Sequence, residues 1–310
     1  MQNTAILMFP GQGSQHPGMA EGWFASAAAR QVLEQASEAV GQNLATLMAP
    51  EADPALLTRT DNAQVALLVV GLMAAAALQE ATQKPLKELA KYVAGHSLGE
   101  YTAVAAAGGL TVAGAAQLVR VRGQAMAQAA PGGMSAVLGL APDLLAAVMA
   151  TQTHVWLAND NCEGQAVISG TLEALPGAEA ALKAAGAKRV LRLPVGGAFH
   201  TPLQTAAREA VAAWLVAQPI GPFQLPCVMN YTAQIHENET DIKENLTQQI
   251  TGQVRWREAM QQAAAQGVTQ ALELGCGKVL AGLAPRCDSR LQAVSLTGQE
   301  ELLRYLETVL

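Results

Sequence analysis

Charged residues are scarce in this sequence, since Asp, Glu, Lys and Arg together make up only 14% of it. The 25 acidic residues outnumber the 19 basic ones, which gives a formal net charge of -6. Proteins that bind nucleic acid through their overall charge carry a basic field instead. The composition therefore excludes such a field, and we expect no nucleic-acid partner.

Cysteine is also rare, and no two cysteines form a C-x-x-C pair. The four cysteines are Cys162, Cys227, Cys276 and Cys287. They are too few and too widely spaced for a disulfide framework in a chain of 310 residues. We expect four reduced, mostly buried thiols.

The sequence lacks an apolar run long enough to cross a bilayer. The longest run, residues 65–78, falls short of the roughly 20 residues that a membrane helix needs and follows polar Asp61, Asn62 and Gln64. It predicts a buried core helix. The apolar run at residues 5–9 is too short for a signal peptide, and no basic segment precedes it. We expect a cytoplasmic protein with no membrane partner.

The sequence does contain a G-x-S-x-G motif, centred on Ser97. A short apolar run before it indicates a strand and an Ala-rich run after it indicates a helix, so Ser97 falls on the turn between them. Gly95 and Gly99 leave room for a tight turn that strains the serine backbone and exposes its hydroxyl. The N-terminus of the helix would stabilise a developing oxyanion. The motif predicts a nucleophilic serine.

A serine nucleophile needs a base, and the sequence offers five histidines. Three lie in polar, loop-like contexts without a partner motif: His16, His154 and His236. His96 is adjacent to Ser97 and points in a different direction from the strand–turn–helix. His200 closes a strand and opens a helix, a position from which a side chain reaches the carboxyl edge of a parallel sheet. His200 is the candidate base.

Alternating strand and helix patterns predict an α/β fold with a parallel sheet. The pattern over residues 134–193 is β-α-β-β-α-β, which is the order of a ferredoxin-like unit. We therefore predict three segments: a large α/β domain in two parts, 1–127 and 198–310, with a small ferredoxin-like domain inserted at 128–197. Further predicted elements are a helix over about 21–48, helices near 62 and at 110–129 and 242–250, and strands at 5–9, 92–94, 228 and 270–274.

Six short motifs together resemble one enzyme family. In chain order they are residues 9–15, residues 95–101, Arg122-Gly123, Asn159-Asp160-Asn161 with Gly164-Gln165, Ala198-Phe199-His200, and residues 277–280. The chain resembles the malonyl-CoA:acyl carrier protein transacylases of type II fatty acid synthesis, nearly from end to end. The resemblance implies a hydrolase-like α/β domain with an inserted ferredoxin-like domain.

The resemblance also implies roles for the catalytic residues. Ser97 would accept the acyl group, with His200 as its general base and acid. The backbone N–H groups of Gln12 and Leu98 would form the oxyanion hole. Gln249 would orient the histidine in place of a carboxylate, although Gln248 and Gln253 lie close enough in the sequence to leave the register open.

Substrate selection is implied by the same resemblance. Arg122 matches a clamp for the malonyl carboxylate, whereas composition alone favours an ordinary surface ion pair. Arg120, two residues away, cannot share its helix face. Phe199 would crowd an α-methyl group and so favour malonyl over methylmalonyl. Three further residues would complete the pocket: His96, Asn159 and Asn161.

The predicted function is transfer of malonyl from malonyl-CoA to the phosphopantetheine thiol of acyl carrier protein, through an ester on Ser97. The protein is predicted to act as a monomer, and neither a metal nor a cofactor is implied, since coenzyme A enters as a substrate thioester. Alternatives are a discrete acyltransferase for polyketide assembly, a transacylase subunit of malonate decarboxylase, and a serine esterase or thioesterase. Arg122 discriminates against the last, because a hydrolase of simple esters has no use for a buried cation.

Carrier proteins of this kind are acidic, as this chain is, so a local basic patch is required for docking. Two basic clusters are candidates. The first cluster is Lys183, Lys188, Arg189 and Arg192; the second cluster is Lys84, Lys87 and Lys91, with Lys278 and Arg286 adding to either. We favour the first cluster because His200 follows it closely in the sequence.

Overall fold

The structure is a computed structural model that describes residues 4–309, so the ends of the predicted segments at 1–3 and 310 lie outside the described residues. The described residues form ten strands: β1 (Ala5–Phe9), β2 (Tyr92–Gly95), β3 (Gly133–Leu138), β4 (Val155–Cys162), β5 (Gln165–Gly170), β6 (Arg189–Arg192), β7 (Cys227–Val228), β8 (Ile235–His236), β9 (Gln270–Leu274) and β10 (Gln292–Leu296). Two short 3₁₀ helices lie at Glu21–Trp23 and Pro202–Gln204.

The same residues form fourteen α-helices. They are α1 (Ala27–Val40), α2 (Leu44–Leu47), α3 (Pro54–Thr58), α4 (Thr60–Thr82), α5 (Leu86–Leu89), α6 (Leu98–Ala106), α7 (Val112–Gln128), α8 (Pro142–Met149), α9 (Leu175–Ala184), α10 (Thr205–Ala217), α11 (Glu239–Gln249), α12 (Trp256–Ala265), α13 (Val279–Cys287) and α14 (Gln299–Val309).

The large sheet has six strands in the order β10-β9-β1-β2-β7-β8. All neighbouring pairs are parallel except β7 and β8, which are antiparallel. Strand β1 lies in the interior of the sheet between β9 and β2, and all five of its residues are buried. A continuous apolar run is what a strand covered on both faces requires. The predicted α/β fold with a parallel sheet is confirmed.

Helix α4 is the long apolar helix, and it packs against α1, α6 and α7. It is long and apolar enough to cross a bilayer, yet 72% of its most apolar window is buried inside the protein. A helix that is hydrophobic all round belongs in the core of a large domain when other helices cover it. The prediction of a buried core helix is confirmed.

The small sheet has four antiparallel strands in the order β4-β5-β3-β6. With α8 and α9 in the connections, this is the ferredoxin-like order, as predicted. Strand β4 extends to Cys162, four residues beyond the prediction, because its second half also bonds to the chain after α11 through Asn159 and Val254. The segment boundaries at 128 and 197 stay a prediction.

One predicted element is wrong. The helical pattern over 21–48 is not a single helix but a 3₁₀ turn followed by α1 and α2. Ser26 caps the start of α1, and Gly41 ends that helix with φ 62°, after which Asn43 caps α2. The sequence reading also missed β10, although it placed β9 at the observed residues. The four cysteines are free and buried, as predicted.

Candidate active site

A cavity of about 330 Å³ opens beyond the carboxyl ends of β1 and β2. Ligands bind at this edge of parallel sheets because the loops that follow the strands converge there. Nine of the ten predicted site residues line the cavity: Gln12, His96, Ser97, Leu98, Arg122, Asn159, Asn161, Phe199 and His200. Gln249 is the one that is not part of the lining.

Ser97 occupies the turn between β2 and α6, with φ 51° and ψ −105°. A β-carbon on Gly95 would lie 1.8 Å from the carbonyl carbon of Gly99, and one on Gly99 would lie 2.0 Å from the carbonyl oxygen of Phe9. Both glycines are therefore required for the turn to pass so close to neighbouring backbone. The strained turn presents the Ser97 hydroxyl to the cavity.

We expect Gly99→Ala to lower the free energy of unfolding by roughly 3 kcal/mol or more, because backbone atoms of β1 cannot move away from the new methyl group. Gly177→Ala is the matched control, since Gly177 lies in α9 with nothing within 4 Å of an added β-carbon. That control should gain about 0.5–1 kcal/mol. Urea denaturation of both variants measures the difference, and a Gly99→Ala protein as stable as wild type would contradict the packing.

Ser97 and His200 form a hydrogen-bonded pair, with 2.8 Å between Ser97 Oγ and His200 Nε2. The other ring nitrogen, Nδ1, lies 2.8 Å from the carbonyl oxygen of Gln249. A carbonyl only accepts, so Nδ1 carries the proton and Nε2 is the acceptor that faces the serine. Burial, and then the charge of Arg122, lowers the pKa of His200 to about 3. The imidazole is neutral at pH 7 and free to take a proton.

Gln249 is fully buried on the last turn of α11. Its main-chain oxygen contacts His200, while its side chain amide bonds to Ser97 O at 2.7 Å and accepts from Arg122 Nη2 at 3.1 Å. Gln248, in contrast, bonds to Glu244 at the surface. The structure thus places Gln249 rather than Gln248 beside the histidine, with the backbone carbonyl as the contacting group.

Arg122 is 1% exposed, so the alternative of a surface ion pair is wrong. Its guanidinium lies over the Tyr101 ring, donates from Nη1 to Gln64 Oε1 at 2.7 Å, and donates from Nη2 to Ser97 Oγ at 3.2 Å. Burial lowers its pKa. Its Nε is buried without an acceptor among the described residues. The guanidinium therefore places a buried positive charge beside the serine, in the wall of the cavity.

Arg120 points away from this cavity, as its spacing from Arg122 predicted. It is half-buried and donates to the carbonyl oxygen of Asp61 and to the side chain of Gln42. The two arginines of α7 therefore have different surroundings, and Arg120 provides a matched control for substitutions of Arg122.

Gln12 and Leu98 both line the cavity. Leu98 is the first residue of α6, so its N–H has no partner within the helix. The Ser97 N–H is different, because it donates to Asn230 Oδ1 at 2.8 Å. The loop that carries Gln12 passes close to the elbow, since a β-carbon on Gly11 would lie 2.5 Å from the carbonyl oxygen of His96. Among the described residues no acceptor is found for the Leu98 N–H, so this donor is free at the elbow.

The remaining predicted pocket residues also lie in the cavity wall. His96 Nε2 is 2.8 Å from Asn161 Oδ1, and burial lowers the His96 pKa. Asn159 and Asn161 are buried on β4, which joins the small sheet to the site. Phe199 is buried beside His200. Within residues 4–309, no group of three or more His, Cys, Asp or Glu side chains is arranged to hold a metal ion.

Three site residues were not predicted from the sequence: Gln64, which holds Arg122, and Glu100 and Asn230. Glu100 is 1% exposed and accepts from the main-chain N–H of Asn230 and from Gln249 Nε2. Burial raises the pKa of Glu100, while the hydrogen bonds from Asn230 and Gln249 and the charge of Arg122 act in the opposite direction. The only sequence signal was the position of Glu100 three residues after Ser97, and nothing local marked Asn230.

Comparisons with known proteins agree with this arrangement. The sequence profile of the family described as "Acyl transferase domain" matches residues 6–281. The malonyl CoA-acyl carrier protein transacylase of Bacillus subtilis is 37% identical over 317 residues, which cover 100% of this chain and 98% of that protein.

Solved structures are similar over the same length. The acyl-carrier-protein S-malonyltransferase of Bartonella henselae has a TM-score of 0.94 and 35% identity, covering 98% of this chain and 99% of that one. A malonyl-transacylase solved in complex with its type II PKS acyl-carrier protein has a TM-score of 0.91 and 34% identity, with coverage of 98% and 99%. The resemblance that the sequence motifs carried is confirmed.

Proposed function

The chain belongs to the malonyl-CoA:acyl carrier protein transacylases, and we propose from this premise that it loads malonyl onto the acyl carrier protein of fatty acid synthesis. The observation that carries the proposal is the guanidinium of Arg122, 3.2 Å from the Ser97 hydroxyl in the wall of the cavity. In malonyl, the acyl carbon and the carboxylate carbon are only two C–C bonds, about 2.5 Å, apart. A cation beside the nucleophile suits that acyl group.

In the first half-reaction, Ser97 Oγ attacks the thioester carbonyl of malonyl-CoA while His200 Nε2 takes the hydroxyl proton. The negative charge that develops on the carbonyl oxygen is stabilised by the N–H groups of Leu98 and Gln12. The C–S bond then breaks, and the coenzyme A sulfur leaves with the proton from His200. The product is a malonyl ester on Ser97.

The second half-reaction runs through the same groups in reverse. His200 takes the proton of the phosphopantetheine thiol, the sulfur attacks the ester, and Ser97 recovers its proton from the imidazolium as the C–O bond breaks. The Gln249 carbonyl accepts from Nδ1–H throughout and keeps Nε2 aimed at Ser97. This pairing of two transfers at one serine is a ping-pong mechanism.

Arg122 holds the malonyl carboxylate in both half-reactions. Its Nη2 lies 3.2 Å from Ser97 Oγ, and a malonyl carboxylate that displaces this contact would accept charge-assisted hydrogen bonds from the guanidinium. Gln64 holds Nη1 and so fixes the plane of the group. An esterase for neutral acyl groups would leave this buried cation unpaired, which is why acyl transfer of a dicarboxylic thioester is favoured over simple ester hydrolysis.

Incubation with labelled malonyl-CoA and digestion tests this function directly. The label is expected on the peptide that contains Ser97, and addition of acyl carrier protein is expected to remove it stoichiometrically. Release of free malonate at the same rate without a carrier would identify a thioesterase instead. Loading of a polyketide carrier but not of a fatty acid carrier would move the protein to the alternative pathway.

We propose the first cluster as the docking surface for the carrier protein. Lys188 and Arg189 are exposed on and before β6, and the chain continues from β6 directly into Leu193 and Val195 in the cavity wall. Arg192 is partly neutralised by Glu179 at 3.0 Å. The second cluster precedes β2 in the chain, whereas Ser97 follows β2. The second cluster and Ser97 therefore lie at opposite ends of that strand. Of the two clusters, only the first is followed directly in the chain by residues of the cavity wall.

Charge reversal of the first cluster, Lys188→Glu with Arg189→Glu, is expected to raise KM for the carrier protein roughly 10-fold at low salt. Acylation by malonyl-CoA should stay within about twofold of wild type, because neither side chain lines the cavity. Lys84→Glu with Lys87→Glu, at the other end of β2 from Ser97, is the matched control. Unchanged carrier kinetics in the first variant, or an equal effect in the control, would contradict this surface.

We also propose that the protein acts as a cytoplasmic monomer. Every group that contacts Ser97 and His200 in the site comes from the same chain, so no second subunit is needed to complete it. Sedimentation equilibrium of the purified protein tests the oligomeric state, and cell fractionation tests the location.

A further inference from the structure

Glu100 is a buried carboxyl group behind Ser97 that the two half-reactions do not use. It lies in the first turn of α6, and each of its oxygens accepts a hydrogen bond from a different part of the chain. Oε1 accepts from the main-chain N–H of Asn230, and Oε2 accepts from Gln249 Nε2 at 2.7 Å. Glu100 thus joins the loop after β7 to the end of α11, underneath the nucleophile.

The first partner, Asn230, holds the backbone of the elbow. Its Oδ1 accepts from the Ser97 N–H at 2.8 Å, and its Nδ2 donates to the carbonyl oxygen of Gly95 at 2.8 Å. A non-glycine residue at φ 51° and ψ −105° costs about 1–3 kcal/mol and persists only where its surroundings hold it. Asn230 thus fixes the backbone that leads into the strained residue, from the Gly95 carbonyl to the Ser97 N–H.

The second partner, Gln249, holds the histidine and the guanidinium. Both hydrogens of its Nε2 are used, on Ser97 O and on Glu100, and its Oε1 accepts from Arg122 Nη2. The opposite rotation of the amide would turn its NH₂ group towards the guanidinium, so the orientation is unique. The main-chain oxygen of the same residue accepts from His200 Nδ1.

We propose that Glu100 is a positioning residue that aligns the two halves of the catalytic pair, Ser97 through Asn230 and His200 through Gln249. In a Ser-His-Asp triad, the carboxyl group contacts the histidine directly. Here the Glu100 carboxyl contacts Gln249, and Gln249 in turn contacts His200. The inference rests on the roles proposed above for Ser97 and His200. Glu100 takes no part in the two half-reactions and was not among the site residues predicted from the sequence.

Glu100→Gln is expected to slow formation of the malonyl enzyme by roughly 10–100-fold, because small displacements of reacting groups cost rates of this order. Both partners donate, and the NH₂ group of a glutamine cannot accept, so one of the two hydrogen bonds is lost. KM for malonyl-CoA should change less than about threefold, since Gln64 still holds Arg122. Glu100→Asp keeps two acceptor oxygens and should recover part of the rate. If Glu100→Gln does not fold, the acylation rate of Glu100→Asp is measured in its place.

A double-mutant cycle shows whether Glu100 acts through Gln249. Gln249→Ala removes the amide and keeps the main-chain carbonyl that contacts His200. If the two side chains act together, Glu100→Gln combined with Gln249→Ala should be no slower than the slower single variant. Rate losses that multiply in the double variant would overturn the proposal.

Glu80→Gln is the matched control for a carboxyl that accepts hydrogen bonds elsewhere. Glu80 accepts from Ser26 Oγ and from the Ala28 N–H near the far end of α4, 16 residues or about 24 Å along the helix from Gln64. Glu80→Gln should change the thermal midpoint of unfolding without changing the rate of acylation.

A Glu100→Gln enzyme that acylates at the wild-type rate while Ser97→Ala remains unlabelled would refute only the role of Glu100. Labelling of Ser97→Ala would instead refute the proposed function.

Discussion

Ser97→Ala protein is expected to take up no covalent label from malonyl-CoA and to transfer malonyl at least about 10⁴-fold more slowly than wild type. The reason is geometric, because the elbow brings one hydroxyl within 2.8 Å of a neutral imidazole nitrogen. No other serine hydroxyl contacts a histidine in the part of the chain that the structure describes. Quench-flow labelling followed by peptide mapping measures both quantities.

His200→Ala should retain the hydroxyl and lose its base, so acylation should slow by roughly 10²–10⁴-fold without disappearing. Ser14→Ala is the control, since Ser14 lines the same cavity but follows no strand–turn–helix. That variant should label as wild type does. Persistent labelling of Ser97→Ala protein at another residue would overturn the assignment of the nucleophile.

The second large effect is expected from Arg122→Ala, which should lower kcat/KM for malonyl-CoA by roughly 10²–10³-fold. The malonyl carboxylate would lose its charge-assisted hydrogen bonds to the guanidinium. Transfer of acetyl should rise at the same time, because a neutral acyl group would no longer leave a buried guanidinium without a partner. The ratio of the two kcat/KM values, measured with malonyl-CoA and acetyl-CoA, reports the change.

Arg120→Ala is the control for Arg122→Ala. It shows whether the change in the malonyl-to-acetyl ratio is specific to Arg122 or follows the loss of any arginine on α7. Arg120 bonds to Asp61 and Gln42 outside the cavity, so its removal should affect stability and leave the malonyl-to-acetyl ratio within about twofold of wild type. An Arg122→Ala enzyme that keeps its preference for malonyl would show that another group recognises the carboxylate.

The order of the elements and the place of the nucleophile could be predicted from the sequence because both are encoded locally. A continuous apolar run predicts β1, and the β-α-β-β-α-β order predicts the small sheet. The turn at Ser97 is also local, since Gly95 and Gly99 are close neighbours and their missing side chains are what the turn requires. The helix predicted over 21–48 failed for a local reason too, because Ser26, Gly41 and Asn43 are capping residues within an apolar pattern.

The tertiary structure alone decided which groups meet around that serine. Burial of Arg122 depends on its contacts with Gln64 and Gln249, which are 58 and 127 residues away in the sequence. The Asn230 side chain reaches Ser97 from 133 residues away. Hydrogen bonds at such separations leave no periodic pattern in the sequence, since each partner is a single polar residue in an unrelated element. The chain thus specified its nucleophile locally, and folding supplied the base, the cation and the groups that hold them.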